Sequence, residues 1–315
     1  MNDMINTIAF PGLGLEFEVN RVAFTMFSRP VFWYALCIMT GVILGLLFVM
    51  ATSKKRGLES DHVLDICFWG LIAGIIGARI FYCIFDWESV GGFAGIFKIW
   101  EGGLAIYGGV IGAVISTFIY CKVKKLNILN TFDVCVPGLM IGQMIGRWGN
   151  FFNAEVYGHE TESLLRMTIN DGEGVHPLFL YESLWNLLGL ALLLLFRKRK
   201  KADGQVFCFY IFWYGLGRLF LEGMRQPQYI LYLIPNVLGI SQVVALLGII
   251  LGISGKVYLG VKAKKKDDAE IEVEIFEEST ASEVTETAEE TEEIEENEVS
   301  VDEVINEDET ENTEE

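Results

Sequence analysis

Arg147, Asn150, Asn153 and Glu155 stand within one otherwise apolar stretch, PGLMIGQMIGRWGNFFNAEVYG at 137–158. An arginine inside hydrocarbon costs about 2.5 to 3.5 kcal/mol on insertion scales, so it requires an anionic partner or a wet cavity. The asparagines add donors and acceptors that lipid cannot satisfy. Arg147 has no acid three or four residues away, and its neighbour a helical turn on is Asn150. Snorkelling to the outer surface is the lesser reading, although the apolar run does end near Asn153. The alternative is a guanidinium facing a cavity with Asn150 beside it. Such a fork of planar donors matches the oxygens of a phosphate, and the pairing is strong where water is excluded.

A second polar set lies in YGLGRLFLEGMR at 214–225. On a helix Tyr214, Arg218 and Glu222 form one stripe, with Arg225 a turn further on. Arg218 and Glu222 can pair and lower each other's cost, so a self-satisfied ion pair is the plainer reading. HPLFLYE at 176–182 brings His176, Tyr181 and Glu182 to the start of another apolar run, where the last two serve equally well as helix cap and anchor. In EGGLAIYGG at 101–109, paired glycines flank Tyr107. They imply a broken or closely approached backbone, which membrane depth tolerates only around a protein-lined cavity. Trp33 and Tyr34 read first as an interfacial aromatic belt.

The elements that must carry these residues are apolar. Of the 315 residues 52% are hydrophobic, and mean hydropathy is +0.38. Seven stretches approach the roughly 20 residues needed to span a bilayer: 30–51, 62–85, 103–121, 132–152, 178–196, 205–224 and 236–255. Lys54 to Arg56, Lys122 to Lys125, Arg197 to Lys201 and Lys256 to Lys266 follow alternate spans and hold 16 of the 24 basic residues. Basic loops stay cytoplasmic, so the expected fold is an all-α membrane protein. It is a seven-transmembrane helix bundle with its N-terminus outside and its C-terminus cytoplasmic. Residues 1–28 lack the pattern of a cleaved signal peptide and read as a retained arm at the membrane surface. Gly70, Gly74 and Ala78, Gly108 and Gly112, and Gly138, Gly142 and Gly146 form small-residue faces that allow close helix approach.

The formal charge of −18 comes from the end of the chain: 24 of the 42 acids lie after Lys266, where no Lys or Arg occurs. The expected division is therefore a membrane catalytic domain at 1–266 and a disordered acidic cytoplasmic tail at 267–315. The low pI says nothing about substrates, and no nucleic-acid partner is implied. Six cysteines lie in or beside apolar runs without CxxC pairs, and read as small buried hydrophobes. Three histidines leave little scope for a metal site, and none is expected.

GRWGNFFNAEVYG at 146–158 resembles the signature of prolipoprotein diacylglyceryl transferases. HPLFLYE, YGLGRLFLEGMRQP at 214–227 and EGGLAIYGG match further blocks of that family in order, and the resemblance runs over about residues 8–260. It implies a seven-span enzyme of the bacterial cytoplasmic membrane, without metal or redox cofactor. Its partners would be phosphatidylglycerol, prolipoprotein signal peptides with a lipobox cysteine, and the lipid bilayer. The diacylglyceryl group would pass from phosphatidylglycerol to the cysteine thiol, giving a thioether and glycerol phosphate, the first step of lipoprotein maturation.

Carried over by motif, Arg147 would contact the lipid phosphate, while Asn150, Asn153, Glu155 and Gly158 shape the headgroup pocket. Arg218, oriented by Glu222 and flanked by Tyr214, would be the second phosphate or leaving-group residue, and Tyr34 would line the site. Some relatives have a histidine, proposed as general base, where this chain has Tyr107. A phenol with an ordinary pKa near 10 is a poorer base at neutral pH. Either Tyr107 is activated by a nearby arginine, or it orients substrate and the thiol loses its proton otherwise, His176 being a substitute candidate. The competing reading is a membrane transporter or channel for a small anion using the same arginines, although the sequence shows no convincing internal repeat.

Overall fold

In hydrocarbon a backbone must satisfy its own polar groups, and these apolar runs do so as helices. The computed structural model describes residues 4–234, 238–273 and 275. Its helices are α1 Trp33–Ser53, α2 Ser60–Phe85, a short α3 Trp87–Val90, α4 Ile106–Val123, α5 Ile128–Asn153, α6 Leu178–Arg197, α7 Gln205–Glu222 and α8 Ile240–Val273. Six of them, all but α3 and α7, are long and apolar enough to cross a membrane. Leu47, Phe68, Ile84, Leu195 and Leu251 are among many apolar side chains more than half exposed on them, as lipid-facing helices require.

The expected sixth span, α7, is an 18-residue helix but falls short in hydropathy. Its sequence holds Gln205, Tyr210, Arg218 and Glu222, and each finds a partner inside the protein. A helix so enclosed by protein can carry polar groups that a lipid-facing one cannot.

Glycines let helices approach backbone to backbone at α1–α5, α2–α4 and α7–α8 among the described residues. A Cβ placed on Gly45 would lie 2.5 Å from the carbonyl oxygen of Gly138, so α1 and α5 touch backbone to backbone. On α4, a Cβ at Gly108 would lie 2.2 Å from the Gly77 oxygen of α2. Gly77 was not among the glycines expected to pack, whereas Gly70 and Gly146, which were, face open space. Periodicity locates a small-residue stripe on a helix but does not say where the partner crosses it.

The arm before α1 is built from short strands. Strand β1 (Ile5–Phe10) pairs antiparallel with β2 (Leu15–Asn20) and with β5 (Thr168–Ile169), and β3 (Val22–Met26) forms a hairpin with β4 (Arg29–Phe32). Alternation along β1 buries Ile8 and Phe10 against Met167, Val175 and Phe179, so the arm covers the segment between α5 and α6. The helices remain the bulk of the structure, as expected of an all-α membrane protein, and these short strands are an addition to them.

The chain divides into two units, Met1–Leu259 and Gly260–Glu315. Within the second, the helix runs through Val273, seven residues into the stretch expected to be disordered. Good helix formers and the Lys266–Glu270 pair, 3.1 Å apart at i and i+4, account for that extension. The rest of the expected tail, 274 and 276–315, lies outside the described residues.

Candidate active site

Four helix ends meet at one end of the bundle. The last turns of α5 bring Arg147, the second turn of α6 Glu182, the last turns of α7 Arg218 and Glu222, and the start of α8 Ser241. Glu182, 5% exposed, is the hub: its Oε2 lies 2.5 Å from Arg147 Nε, and its Oε1 lies 2.9 Å from Arg225 Nη2 and 3.6 Å from Arg218 Nη1. Glu222, 1% exposed, pairs through Oε2 with Arg218 Nη2 at 3.0 Å and with Arg225 Nε at 3.5 Å. The Ser241 hydroxyl donates to its other oxygen. Three guanidinium groups thus face two carboxylates, and the cluster keeps one positive charge in excess.

The expected Arg218–Glu222 pair is present, but it is one edge of a larger network. Arg147 is held through Nε alone, and its two terminal amino groups have no partner among the described residues. Its side chain is 25% exposed and borders a cleft shared with Glu182, Trp185, Asn186, Tyr214, Gly217, Arg218 and Leu221. The cleft holds about 20 Å³, roughly one water, so a larger anion enters only when side chains at its mouth move.

Packing of α6 on α7 fixes this geometry. Trp185 and Trp213 stack with centroids 4.5 Å apart, and each indole N–H donates to the other's backbone carbonyl. Gly217 makes room for Trp185, whose Nε1 would lie 2.3 Å from a Cβ there. Gly217→Val should therefore part α6 from α7 and separate Glu182 from Arg218. Thermal unfolding in detergent should show a loss of about 1–3 kcal/mol, as overpacked sites do.

Asn150, Asn153 and Glu155 form a separate knot where α5 ends. The chain reverses through Ala154 and Val156, both at positive φ (51° and 57°). Glu155 Oε1 accepts from Asn150 Nδ2 at 3.3 Å and from Asn153 Nδ2 at 3.1 Å. Tyr34 connects knot and cluster: it lies within electrostatic reach of both Glu155 and Arg147, and its ring packs on Gly149. It belongs with the polar residues rather than with an interfacial belt.

Gly158 acts through its backbone. It bridges antiparallel to Arg225, its N–H donates to the His176 carbonyl at 2.9 Å, and a Cβ there would lie 2.7 Å from both the His176 Cβ and the Met224 oxygen. Those contacts aim Arg225 at Glu182. His176 sends its ring to Tyr181, 3.4 Å from Nδ1 to the hydroxyl, and makes no contact with the arginine cluster among the described residues. Burial, with His159 nearby, pushes its pKa below the ordinary histidine value, so the ring is neutral at pH 7.

Tyr107 begins α4 just after the turn at Gly102 and Gly103, whose φ values are 92° and 69°. Arg79 holds that turn: Nη1 donates to the carbonyls of Gly102 (2.7 Å) and Gly103 (2.9 Å), Nη2 to Gly95 (2.6 Å) and Nε to Ile96 (3.0 Å). The Tyr107 phenol lies within electrostatic reach of Arg218. Tyr107→Phe isolates the hydroxyl: a general base would cost about 10²-fold or more in kcat, whereas an orienting ring would leave kcat within a few-fold, read in a single-turnover assay.

Glu182, Arg225 and Ser241 are the members of this cluster that sequence reasoning passed over. Glu182 resembled a helix cap in HPLFLYE, and Arg225 stood outside the helical stripe. A surplus of arginines over acids in the spans was the signal that another acid must meet Arg147.

The model of the family described as prolipoprotein diacylglyceryl transferase matches residues 21–258. Among relatives, the phosphatidylglycerol–prolipoprotein diacylglyceryl transferase of Clostridioides difficile (strain 630) is 42% identical over 247 residues, covering 78% of this chain and 98% of its own. Those of Finegoldia magna (strain ATCC 29328 / DSM 20472 / WAL 2508) and Lysinibacillus sphaericus (strain C3-41) are 43% and 39% identical; each alignment covers 79% of this chain, with 97% and 96% of theirs. A match over that length, spanning both the arginine–glutamate cluster and the Asn150–Glu155 knot, places the chain in the prolipoprotein diacylglyceryl transferase family.

Proposed function

We propose that this protein transfers the diacylglyceryl group of phosphatidylglycerol to the lipobox cysteine thiol of a prolipoprotein, forming a thioether and releasing glycerol phosphate. The observation that carries the mechanism is the free edge of Arg147 beside Arg218, in a buried cluster with one positive charge in excess. Thiol sulfur attacks the glyceryl carbon bonded to the phosphate oxygen, the carbon–oxygen bond breaks, and the phosphate gains charge as it leaves. Donors preorganised for that charge are worth most in the transition state. Arg147 and Arg218 take that role, held in place by Glu182 and Glu222. Asn150, Asn153 and Glu155, with Tyr34, Tyr214 and the backbone at Gly158, shape the headgroup pocket, and Tyr107 faces the reacting thiol.

We read α7 as a span enclosed by protein, which makes seven, with the N-terminus and this site outside and the C-terminus cytoplasmic in the bacterial cytoplasmic membrane. Residues 1–266 form the catalytic domain, and the acidic stretch at 267–315 is a cytoplasmic tail outside the reaction. Anion transport through the same arginines finds no support among the relatives. The test is direct: purified protein, phosphatidylglycerol and a lipobox peptide are incubated, and the peptide is read by mass spectrometry. A diacylglyceryl adduct is expected on cysteine and is lost when the peptide carries serine there; no adduct from folded protein would reject the reading.

A further inference from the structure

A second cavity shares no lining residue with the cleft at the arginine cluster. It is an apolar groove of about 670 Å³ between α2 and α4, lined along α2 from Trp69 to Ile84 and along α4 from Gly108 to Val123. At about 1.5 Å per residue the α4 wall is some 22 Å long. One end lies beside the proposed site: Phe81 lines the groove and contacts the Tyr107 ring, with centroids 6.4 Å apart.

The other end is acidic. Tyr120, also in the wall, donates to Asp65 Oδ2 at 2.7 Å and meets His62 Nδ1 at 2.9 Å, and Asp61 is within its electrostatic reach. Asp61 and Asp65 are exposed at the start of α2 and make no ion pair among the described residues, although Lys122 and Lys124 lie at the same end of α4. This is unusual company, because the loops at that end of the bundle hold most of the basic residues of the chain.

We propose that this groove seats the apolar helix of the prolipoprotein signal segment, and that Asp61 and Asp65 receive its basic amino terminus. The inference rests on the transferase reading and names where its polypeptide substrate lies. Signal segments join a positively charged n-region to an apolar run of about 7–15 residues, which as a helix is about 10–22 Å long, the length of this wall. The lipobox cysteine follows the apolar run and so arrives at the Tyr107 end. A phospholipid fits less well: its acyl chain reaches across about half of the ~30 Å hydrocarbon core, and an anionic headgroup is repelled by the two aspartates.

Two experiments decide it, both with the full-length protein. In the first, a benzophenone amino acid replaces Ile115 in the groove wall or, as control, Ile43 on the exposed face of α1. Irradiation with a lipobox signal peptide should link the peptide at 115 and not at 43. Adducts at 115 with phospholipid alone, or equal peptide labelling at both positions, would overturn the proposal.

In the second, D61N/D65N should raise KM about three- to tenfold for a peptide with two n-region lysines. The values of kcat and of KM for phosphatidylglycerol should stay unchanged, and a peptide with glutamines in place of those lysines should not distinguish the variant from wild type. Asparagine keeps an oxygen for Tyr120, so local packing survives. An unchanged KM for the lysine peptide, or the same rise for both peptides, would reject the acidic end as the recognition element. Absence of any adduct with wild-type protein would instead reject the transferase reading itself, while the photolabelling result would still stand.

Discussion

Arg147→Ala should lower kcat for diacylglyceryl transfer by about 10²- to 10³-fold, the range seen when one preorganised donor to a developing anion is removed. The prediction follows from how Arg147 is held. Glu182 engages only its Nε, which leaves two amino groups for substrate oxygens. Loss of the side chain does not strand Glu182, because Arg225 and Arg218 still contact it. The variant should therefore stay folded, and its thermal unfolding midpoint separates a chemical loss from a structural one. Arg147→Lys should recover only part of the rate, since an ammonium group lacks the planar fork that can keep Glu182 and still bind phosphate. Near-normal turnover in a folded Arg147→Ala protein would remove Arg147 from the phosphate site.

Glu182→Ala should be the more damaging change to the protein itself. Arg147, Arg218 and Arg225 all converge on this carboxylate. Without it, three buried or half-buried guanidinium groups would share Glu222 alone. Breaking a buried pair from one side costs about 3–5 kcal/mol, because a charge is left uncompensated. Both the unfolding midpoint in detergent and transfer should fall. Glu182→Gln keeps the volume and one acceptor while removing the charge, so it should recover packing more than activity. Wild-type stability in Glu182→Ala would mean that the three arginines do not depend on it.

The comparison of Arg147 with Glu182 shows how far the chain could be read in one dimension. An arginine in an apolar run is conspicuous because lipid penalises it wherever the helix sits. Glu182 is not, since a carboxylate near the start of a helix is an ordinary occupant of that end. Its burial and its three partners arise only when α5, α6 and α7 end at the same level. The Arg218–Glu222 pair was legible for the opposite reason: both residues lie on one helix, and the 3.6-residue turn sets their proximity. Gly158 stood within a legible motif, yet its part is played through the backbone, against His176 and Met224.

The helices, the alternation of basic loops, the polar residues too costly to leave in lipid, and the family motifs could all be read along the chain, because each depends on local chemistry or spacing. The enclosure of α7 by protein, the sheet that the first strands form over the loop before α6, and the gathering of five charged side chains from three segments into one cluster could not. Those features depend on contacts between distant parts of the chain. Hydropathy and periodicity say which faces must be buried, not against which partner.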